Sequence, residues 1–314
     1  MRVALMIEGQ DGVTWDDWLR LARLCEQHGI EALFRSDHYG AIGSAPGSAA
    51  LDAWGTICAL GAVTSTLRLG TLVSPVTFRH PSVLARLAVT ADHVSSGRVE
   101  VGLGSGWYEW EHEVYGFPFE DGPARFARLE EQAEIVHRSW TEDELDFAGR
   151  FYRLRGARPA PRPLQRPHPP FLLGGSVRPR FARLAARCAD EVNTTSATVE
   201  DCRERRRRLD DACGELGRDP ATLPLSLMTL TVVGADHSEV RDRLGRALGE
   251  GRDVEEALAR AGDRWLVGTV DEVVERLAAY QDAGVSRVML QQLDHGDSEQ
   301  TALIGDRLVP AVRK

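Results

Sequence analysis

A short polar run, Ser36-Asp37-His38-Tyr39, directly follows a run of apolar residues. An imidazole near its ordinary pKa of about 6.5 exchanges protons at neutral pH, so His38 is a candidate general acid or base and Asp37 a candidate to orient it. The alternative is a capping aspartate beside a surface histidine, since both are common after strands. A metal site is disfavoured, because no His-x-His follows the first strand and no acidic ligand lies at a matching strand end.

A glycine-rich run at 102–106 precedes Trp107 and Tyr108. It is a poor dinucleotide-binding motif, because aromatic residues rather than a helix pattern follow it. We expect Gly104 and Ser105 to let a planar ring approach the backbone, with Trp107 or Tyr108 as a stacking wall.

Two further strand ends could contact a ligand. The strand at 68–73 ends in Thr71, Leu72 and Val73, although it could simply stop at Pro75. The run Gly174-Gly175-Ser176 follows a short apolar strand and precedes a helix, where backbone amides and the helix dipole suit a phosphate.

Short apolar runs alternate with longer amphipathic stretches, which is typical of parallel β/α units. Strands are predicted at 3–7, 32–36, 68–73, 99–104, 171–174, 191–193, 225–233 and 287–291. Helices are predicted at 15–28, 53–63, 82–94, 125–140, 180–188, 199–216, 238–248, 254–261 and 270–283. The proline-rich segment 149–170 is predicted to be extended. We therefore predict one α/β domain over residues 1–314, a (β/α)8 TIM barrel with insertions at its C-terminal rim, where the chemistry of such barrels resides.

Composition narrows the function classes. The chain of 314 residues has a net charge of −9, which disfavours nucleic acid as a partner. The arginines of 203–208 interleave with acidic residues and are interpreted as a solvated helix face. The first apolar run ends at Glu8, too short for a signal peptide or membrane span, and five scattered cysteines indicate no disulfide framework. A cytoplasmic protein with no membrane partner is expected.

Five segments together resemble the luciferase-like flavin and F420-dependent family, in particular its F420-dependent branch, over most of the chain. They are 34–38, 69–81, 92–99, 102–108 and 268–273. The resemblance implies F420, or alternatively FMN, at the carboxyl mouth of the barrel, with a cis peptide at Leu72-Val73 behind the ring. It places His38 near the redox ring with Asp37 as its neighbour. The implied cofactor contacts are Thr71, Leu72, Val73, Gly104, Ser105, Trp107, Gly174, Gly175 and Ser176.

The activity implied is hydride transfer between F420 and a small organic substrate. The alternative is an FMN-dependent monooxygenase that uses O2 and reduced flavin from a partner reductase. Trp107 stands where sugar-phosphate dehydrogenases of the family have an acidic residue, so sugar-phosphate oxidation is disfavoured. Specificity is expected in the insertions 105–122 and 235–265. Trp15 and Trp18 are expected to be exposed apolar positions, which would permit a homodimer.

Overall fold

A computed structural model describes residues 1–42, 50–249 and 251–313. Eight parallel strands close into a barrel, because the last of them pairs with both the first and the seventh. With the strands outside the barrel included, the strands in chain order are β1 (Arg2–Ile7), β2 (Ala32–Arg35), β3 (Arg68–Thr71), β4 (Ser74–Pro75), β5 (Val99–Gly104), β6 (Leu145–Ala148), β7 (Arg153–Ala157), β8 (Phe171–Gly174), β9 (Glu191–Thr195), β10 (Leu225–Gly234), β11 (Leu266–Thr269) and β12 (Val285–Gln291). The barrel consists of β1, β2, β3 with β4, β5, β8, β9, β10 and β12. The predicted (β/α)8 fold is confirmed.

The third barrel strand is interrupted. Its two pieces, β3 and β4, both pair with β5, and residues 72–73 bulge between them. The strands β6 and β7 form an antiparallel hairpin outside the barrel, and β11 adds to the far end of β10.

Helices cover the outside of the barrel. They are α1 (Trp15–Gln27), α2 (Ala53–Val63), α3 (Pro81–Val94), α4 (Glu109–Tyr115), α5 (Gly122–Thr141), α6 (Pro179–Cys188), α7 (Val199–Glu215), α8 (His237–Leu248), α9 (Val254–Ala261), α10 (Val270–Asp282), α11 (Ser298–Leu303) and α12 (Val309–Val312). Three of them start with a reciprocal capping box, at Thr14, Thr198 and Thr269. In each box the threonine side chain accepts a hydrogen bond from the backbone amide three residues later, and the acidic side chain of that later residue accepts one from the threonine amide.

The main core lies between the strands and this helical layer, while a smaller apolar cluster that includes Met6, Phe34 and Leu172 fills the barrel itself. Trp18 is fully buried in the main core, and Trp15 packs against it. Trp18 therefore cannot contribute to a dimer surface, because the amphipathic stripe of α1 turns it inward. Trp15 is half-buried, and the homodimer stays a prediction.

Several elements, including β11, were not predicted from the sequence. The hairpin of β6 and β7 begins the proline-rich excursion, and Leu145 and Tyr152 pack there against Ile135. The short helix α4 and the terminal helices α11 and α12 were also missed. No helix of the described ranges has the length and apolar character needed to cross a membrane.

The amino ends of the strands close the barrel with buried ion pairs. Arg287 is fully buried, and its guanidinium donates to Glu100 at 2.8 Å and to Glu191 at 3.1 Å. Glu100 also accepts from Arg68 at 2.5 Å. Charges at this end are therefore matched by opposite charges.

Candidate active site

A cavity of about 440 Å³ opens at the carboxyl ends of the strands. Its walls come from residues just after the strands and from the segment that leads into α4. The lining residues are Met6, Glu8, Ser36, His38, Ile42, Leu72, Val73, Pro75, Gly104, Ser105, Gly106, Trp107, Glu111, Gly174, Gly175, Asn193, Thr195, Ser196, Met228 and Gln291.

The bulge between β3 and β4 forms one wall of the cavity. The peptide bond Leu72-Val73 is cis, as the family resemblance implied. A Cβ added to Gly104 would lie 2.6 Å from the Val73 side chain, and one added to Gly174 would lie 2.9 Å from it. Both distances are shorter than any van der Waals contact, so glycine at 104 and 174 makes room for Val73. The glycines thus accommodate the bulge directly, and Val73 presents an apolar face to the cavity.

His38 is the titratable ring in this cavity, and Glu111 holds it. The Nδ1 atom of His38 lies 2.7 Å from Oε1 of Glu111, a carboxylate that is almost fully buried. The other carboxylate oxygen accepts the amide of Tyr39 at 3.0 Å. Because Nδ1 is engaged, Nε2 is the ring nitrogen left for a substrate.

The surroundings of His38 shift its proton affinity. Burial lowers the pKa of His38, but the hydrogen bond to Glu111 and the charges of Glu111, Glu8 and Asp37 outweigh burial, so the pKa is raised. A raised pKa keeps more of the imidazole protonated at neutral pH, which suits a proton donor.

Asp37, the residue expected to orient His38, has other partners. It accepts from Arg79 at 2.6 Å and from Ser74 at 2.5 Å, and it is buried behind the cavity wall. The guanidinium of Arg79 also donates to the carboxylate of Asp52 at 2.9 Å. The contact that orients the imidazole therefore belongs to Glu111, while Asp37 ties the end of β2 to β4.

Glu8, at the end of β1, contributes a second carboxylate to the cavity. It accepts hydrogen bonds from the side-chain amides of Gln10 and Gln291. No ion pair involves Glu8 within the part of the chain that the structure describes, so its charge is held by neutral donors.

Aromatic side chains stand beside His38 on the α4 side. The ring of Trp107 lies 5.9 Å from the imidazole centroid, edge to face, and Tyr108 lies 6.1 Å from it. Trp107 lines the cavity yet remains 60% exposed. The apolar surface of Trp107 at the cavity mouth is therefore exposed to solvent.

The glycine turn after β8 offers a polar edge to the cavity. The amide of Gly175 donates to the Asn193 carbonyl at 3.1 Å, so it is already engaged. The described backbone hydrogen bonds do not use the amides of Ser176 and Val177. These two amides, just before α6, are the ones left to bind an anion.

The structure gathers most of the residues named from the sequence. His38, Leu72, Val73, Gly104, Ser105, Trp107, Gly174 and Gly175 line the cavity. Thr71 is buried behind the wall, where its hydroxyl donates to the Gly102 carbonyl at 3.1 Å, and Ser176 is exposed outside the lining. Sequence reasoning missed Glu8, Glu111 and Asn193. Across the described ranges no group of three His, Cys, Asp or Glu side chains could hold a metal ion.

Comparison with known proteins gives this geometry a family context. The model of the luciferase-like monooxygenase family matches residues 2–287. An F420-dependent glucose-6-phosphate dehydrogenase of Nakamurella multipartita is 30% identical, over 93% of this chain and 91% of its own. An FMNH(2)-dependent dimethylsulfone monooxygenase of Pseudomonas putida is 26% identical, over 82% and 77%. The crystal structure of monooxygenase RslO1 from Streptomyces bottropensis superposes with a TM-score of 0.82 at 25% identity, covering 99% of each chain.

Proposed function

Because the chain belongs to the luciferase-like monooxygenase family, we propose that it is an F420-dependent oxidoreductase that moves a hydride between F420 and a small organic substrate. The observation that carries the proposal is a half-buried imidazole in the cavity, with Nδ1 fixed by Glu111 and Nε2 left for a substrate. A relative named as an F420-dependent dehydrogenase aligns with more than nine-tenths of the chain, which supports the same choice of cofactor.

The cavity residues fit such a cofactor. Leu72 and Val73 offer an apolar wall to a planar ring. The amides of Ser176 and Val177, which follow the lining residues Gly174 and Gly175, would hold its phosphate. When bound there, F420 would supply the hydride, or accept it in the reverse reaction. FMN has a similar ring and phosphate, so these residues alone fit either group.

His38 is the proposed catalytic residue. In the reduction of a carbonyl substrate, bound F420 would supply the hydride for the carbon, and the Nε2 proton of His38 would pass to the oxygen. In the reverse direction the same nitrogen accepts the hydroxyl proton. Glu111 is a positioning residue, because it fixes the tautomer and raises the proton affinity of the ring.

An FMN-dependent monooxygenase is the second candidate. It is favoured by Trp107, an aromatic residue in the position where the resemblance to sugar-phosphate dehydrogenases requires an acid, and by the similarity to the P. putida monooxygenase. That activity would need a partner reductase to supply reduced flavin.

Fluorescence titration of the purified protein with F420 and with FMN tests the proposal. We expect F420 to bind more tightly, and Gly175→Asp to raise its dissociation constant at least about tenfold, because the added carboxylate repels the phosphate. A Cβ at this position would also meet the Phe181 ring at 2.9 Å, so a thermal melt must show that the variant folds. Gly214→Asp, on an exposed turn of α7 with open space around it, is the matched control. Tight binding of FMN without F420 would replace the proposal by the second candidate.

A further inference from the structure

The cavity next to His38 has an unusual balance of charge. Its lining includes the carboxylates of Glu8 and Glu111, but no arginine or lysine occurs among the lining residues of the described chain. The stretch 43–49, which lies outside the described residues, contains no basic residue in its sequence. His38 is thus the one lining group that can carry positive charge.

The nearest buried cations lie behind the wall, where Arg79 is ion-paired and Arg35 is held by neutral acceptors. Arg79 bonds Asp37 at 2.6 Å and Asp52 at 2.9 Å. Arg35 donates to the Leu51 carbonyl at 2.9 Å and to the Thr56 hydroxyl at 2.8 Å. Neither guanidinium lines the cavity, so neither is available to pair with an anionic substrate.

The carboxylate of Glu8 adds negative charge to the cavity lining. Its oxygens accept from two neutral amides, Gln10 and Gln291, and from no cation in the described chain. A carboxylate or phosphate on a substrate would therefore enter a partly buried site of like charge, where repulsion is less screened than in water. An uncharged group would meet no such penalty.

An apolar surface completes the mouth. Trp107 and Ile42 line the cavity and are 60% and 37% exposed. Trp107 also meets the imidazole edge to face at 5.9 Å. A planar apolar group lying on Trp107 would cover this surface and bring an adjoining oxygen towards His38.

Resting on the proposed function, we infer that the substrate is an uncharged carbonyl or alcohol compound with an aromatic or planar apolar group. Its apolar part packs on Trp107 and Ile42, and its oxygen faces Nε2 of His38. Phosphorylated and carboxylated compounds are rejected by Glu8 and Glu111. The relative from N. multipartita, which is named for a sugar phosphate, would differ from this protein in substrate charge.

Three probes with the same acetophenone skeleton but different charge test the inference. They are acetophenone, 4-acetylbenzoate and 4-(aminomethyl)acetophenone. Their dissociation constants are measured by ligand-observed NMR on protein saturated with F420. We expect the benzoate to bind at least about tenfold more weakly than acetophenone, and the ammonium compound to bind no more weakly than acetophenone. Glu8→Gln should narrow the gap between acetophenone and the benzoate.

The aromatic contact is tested with the same probes. Trp107→Ala should weaken acetophenone about tenfold, whereas Trp107→Phe should restore most of its affinity. Val114→Ala, an exposed residue of α4 outside the lining, is the control and should change nothing. Benzoate binding equal to acetophenone binding, failure of acetophenone to bind, or indifference to Trp107→Ala would overturn the inference. If F420 itself does not bind in the titration described above, the proposed function fails separately, and the probes are measured with FMN instead.

Discussion

The amino end of the barrel and the cavity at its carboxyl end treat buried charge in opposite ways. At the amino ends of the strands, Arg287 and Arg68 surround Glu100 and Glu191. At the carboxyl ends, Glu8 and Glu111 face a single imidazole. Pairing with arginine at the first end holds the Glu100 charge at neutral pH, whereas the second end offers an imidazole proton that can be exchanged. The same strands thus carry a structural end and a chemical end, the division typical of this fold.

The pKa directions express this difference. Burial would raise the pKa of Glu100, but Arg287 and Arg68 lower it to about 2. Burial and the Glu100 charge raise the pKa of Glu191, against the effect of Arg287. At the mouth, the carboxylates raise the pKa of His38 against burial. Glu100 therefore stays ionised near neutral pH, whereas the carboxylates at the mouth increase the proton affinity of His38.

Removing the cation of the structural end should have the largest effect on stability. Arg287→Met leaves Glu100 and Glu191 buried without their shared partner, and breaking such a pair costs about 3–5 kcal/mol. Urea unfolding followed by circular dichroism would measure the loss. The exposed pair of Arg241 and Glu255 gives the matched control, and Arg241→Met should change the unfolding free energy by less than about 0.5 kcal/mol. Equal losses in the two variants would end the distinction between the buried and the exposed pair.

Removing the carboxylate that holds His38 should affect chemistry more than folding. In Glu111→Gln the main raising influence on the His38 pKa is lost, while burial and the smaller effects of Glu8 and Asp37 remain, so the pKa should fall. Turnover should fall on the order of tenfold, and the limb of the pH profile that reports His38 should move to lower pH. NMR titration of the histidine ring checks the pKa. Glu113 is an exposed neighbour on α4, and Glu113→Gln should leave the turnover and the His38 pKa unchanged. An unchanged His38 pKa in Glu111→Gln would remove Glu111 from the mechanism.

Acid should weaken the structural end gradually, and this is the smallest effect expected. The folded pKa of Glu100 is about 2, below its ordinary 4.5, so its stabilisation is complete above pH 4.5 and is lost as the pH falls towards 2. Glu191 has a raised pKa and acts in the opposite sense, contributing stability that is lost as the pH rises above 4.5 through its folded pKa. Urea unfolding of the wild type and Glu100→Gln should therefore converge between pH 4.5 and 2. A constant difference across that window would contradict the assignment to Glu100.

Much of the scaffold could be predicted because each strand is a short apolar run ended by glycine or a polar residue. The predicted bounds of β5 and β8 match the structure, as do those of α2 and α9. The hairpin of β6 and β7 was missed because its residues are largely exposed and show no clear alternation. The helix α4 was missed because it has seven residues and follows a run of aromatic side chains.

The site was harder to predict than the scaffold. Asp37 adjoins His38 in sequence, yet its carboxylate turns to Ser74 and Arg79. The real partner, Glu111, is 73 residues away on an unpredicted helix, so no local pattern could identify it. Glu8 could have been found, because it is a carboxylate directly after the first strand, where such barrels place functional groups.

The most direct test of the account is turnover of His38→Ala with F420 and a neutral carbonyl substrate. The protonated imidazole supplies the proton that accompanies hydride transfer, so kcat/KM should fall by roughly 10²- to 10⁴-fold. The dissociation constant for F420 should stay close to that of the wild type, and the variant should still fold, because Glu111 keeps the amide of Tyr39 as a hydrogen-bond donor after losing His38. Turnover within about threefold of the wild type, in a variant that folds and binds F420, would contradict the account and leave His38 as only a wall of the cavity.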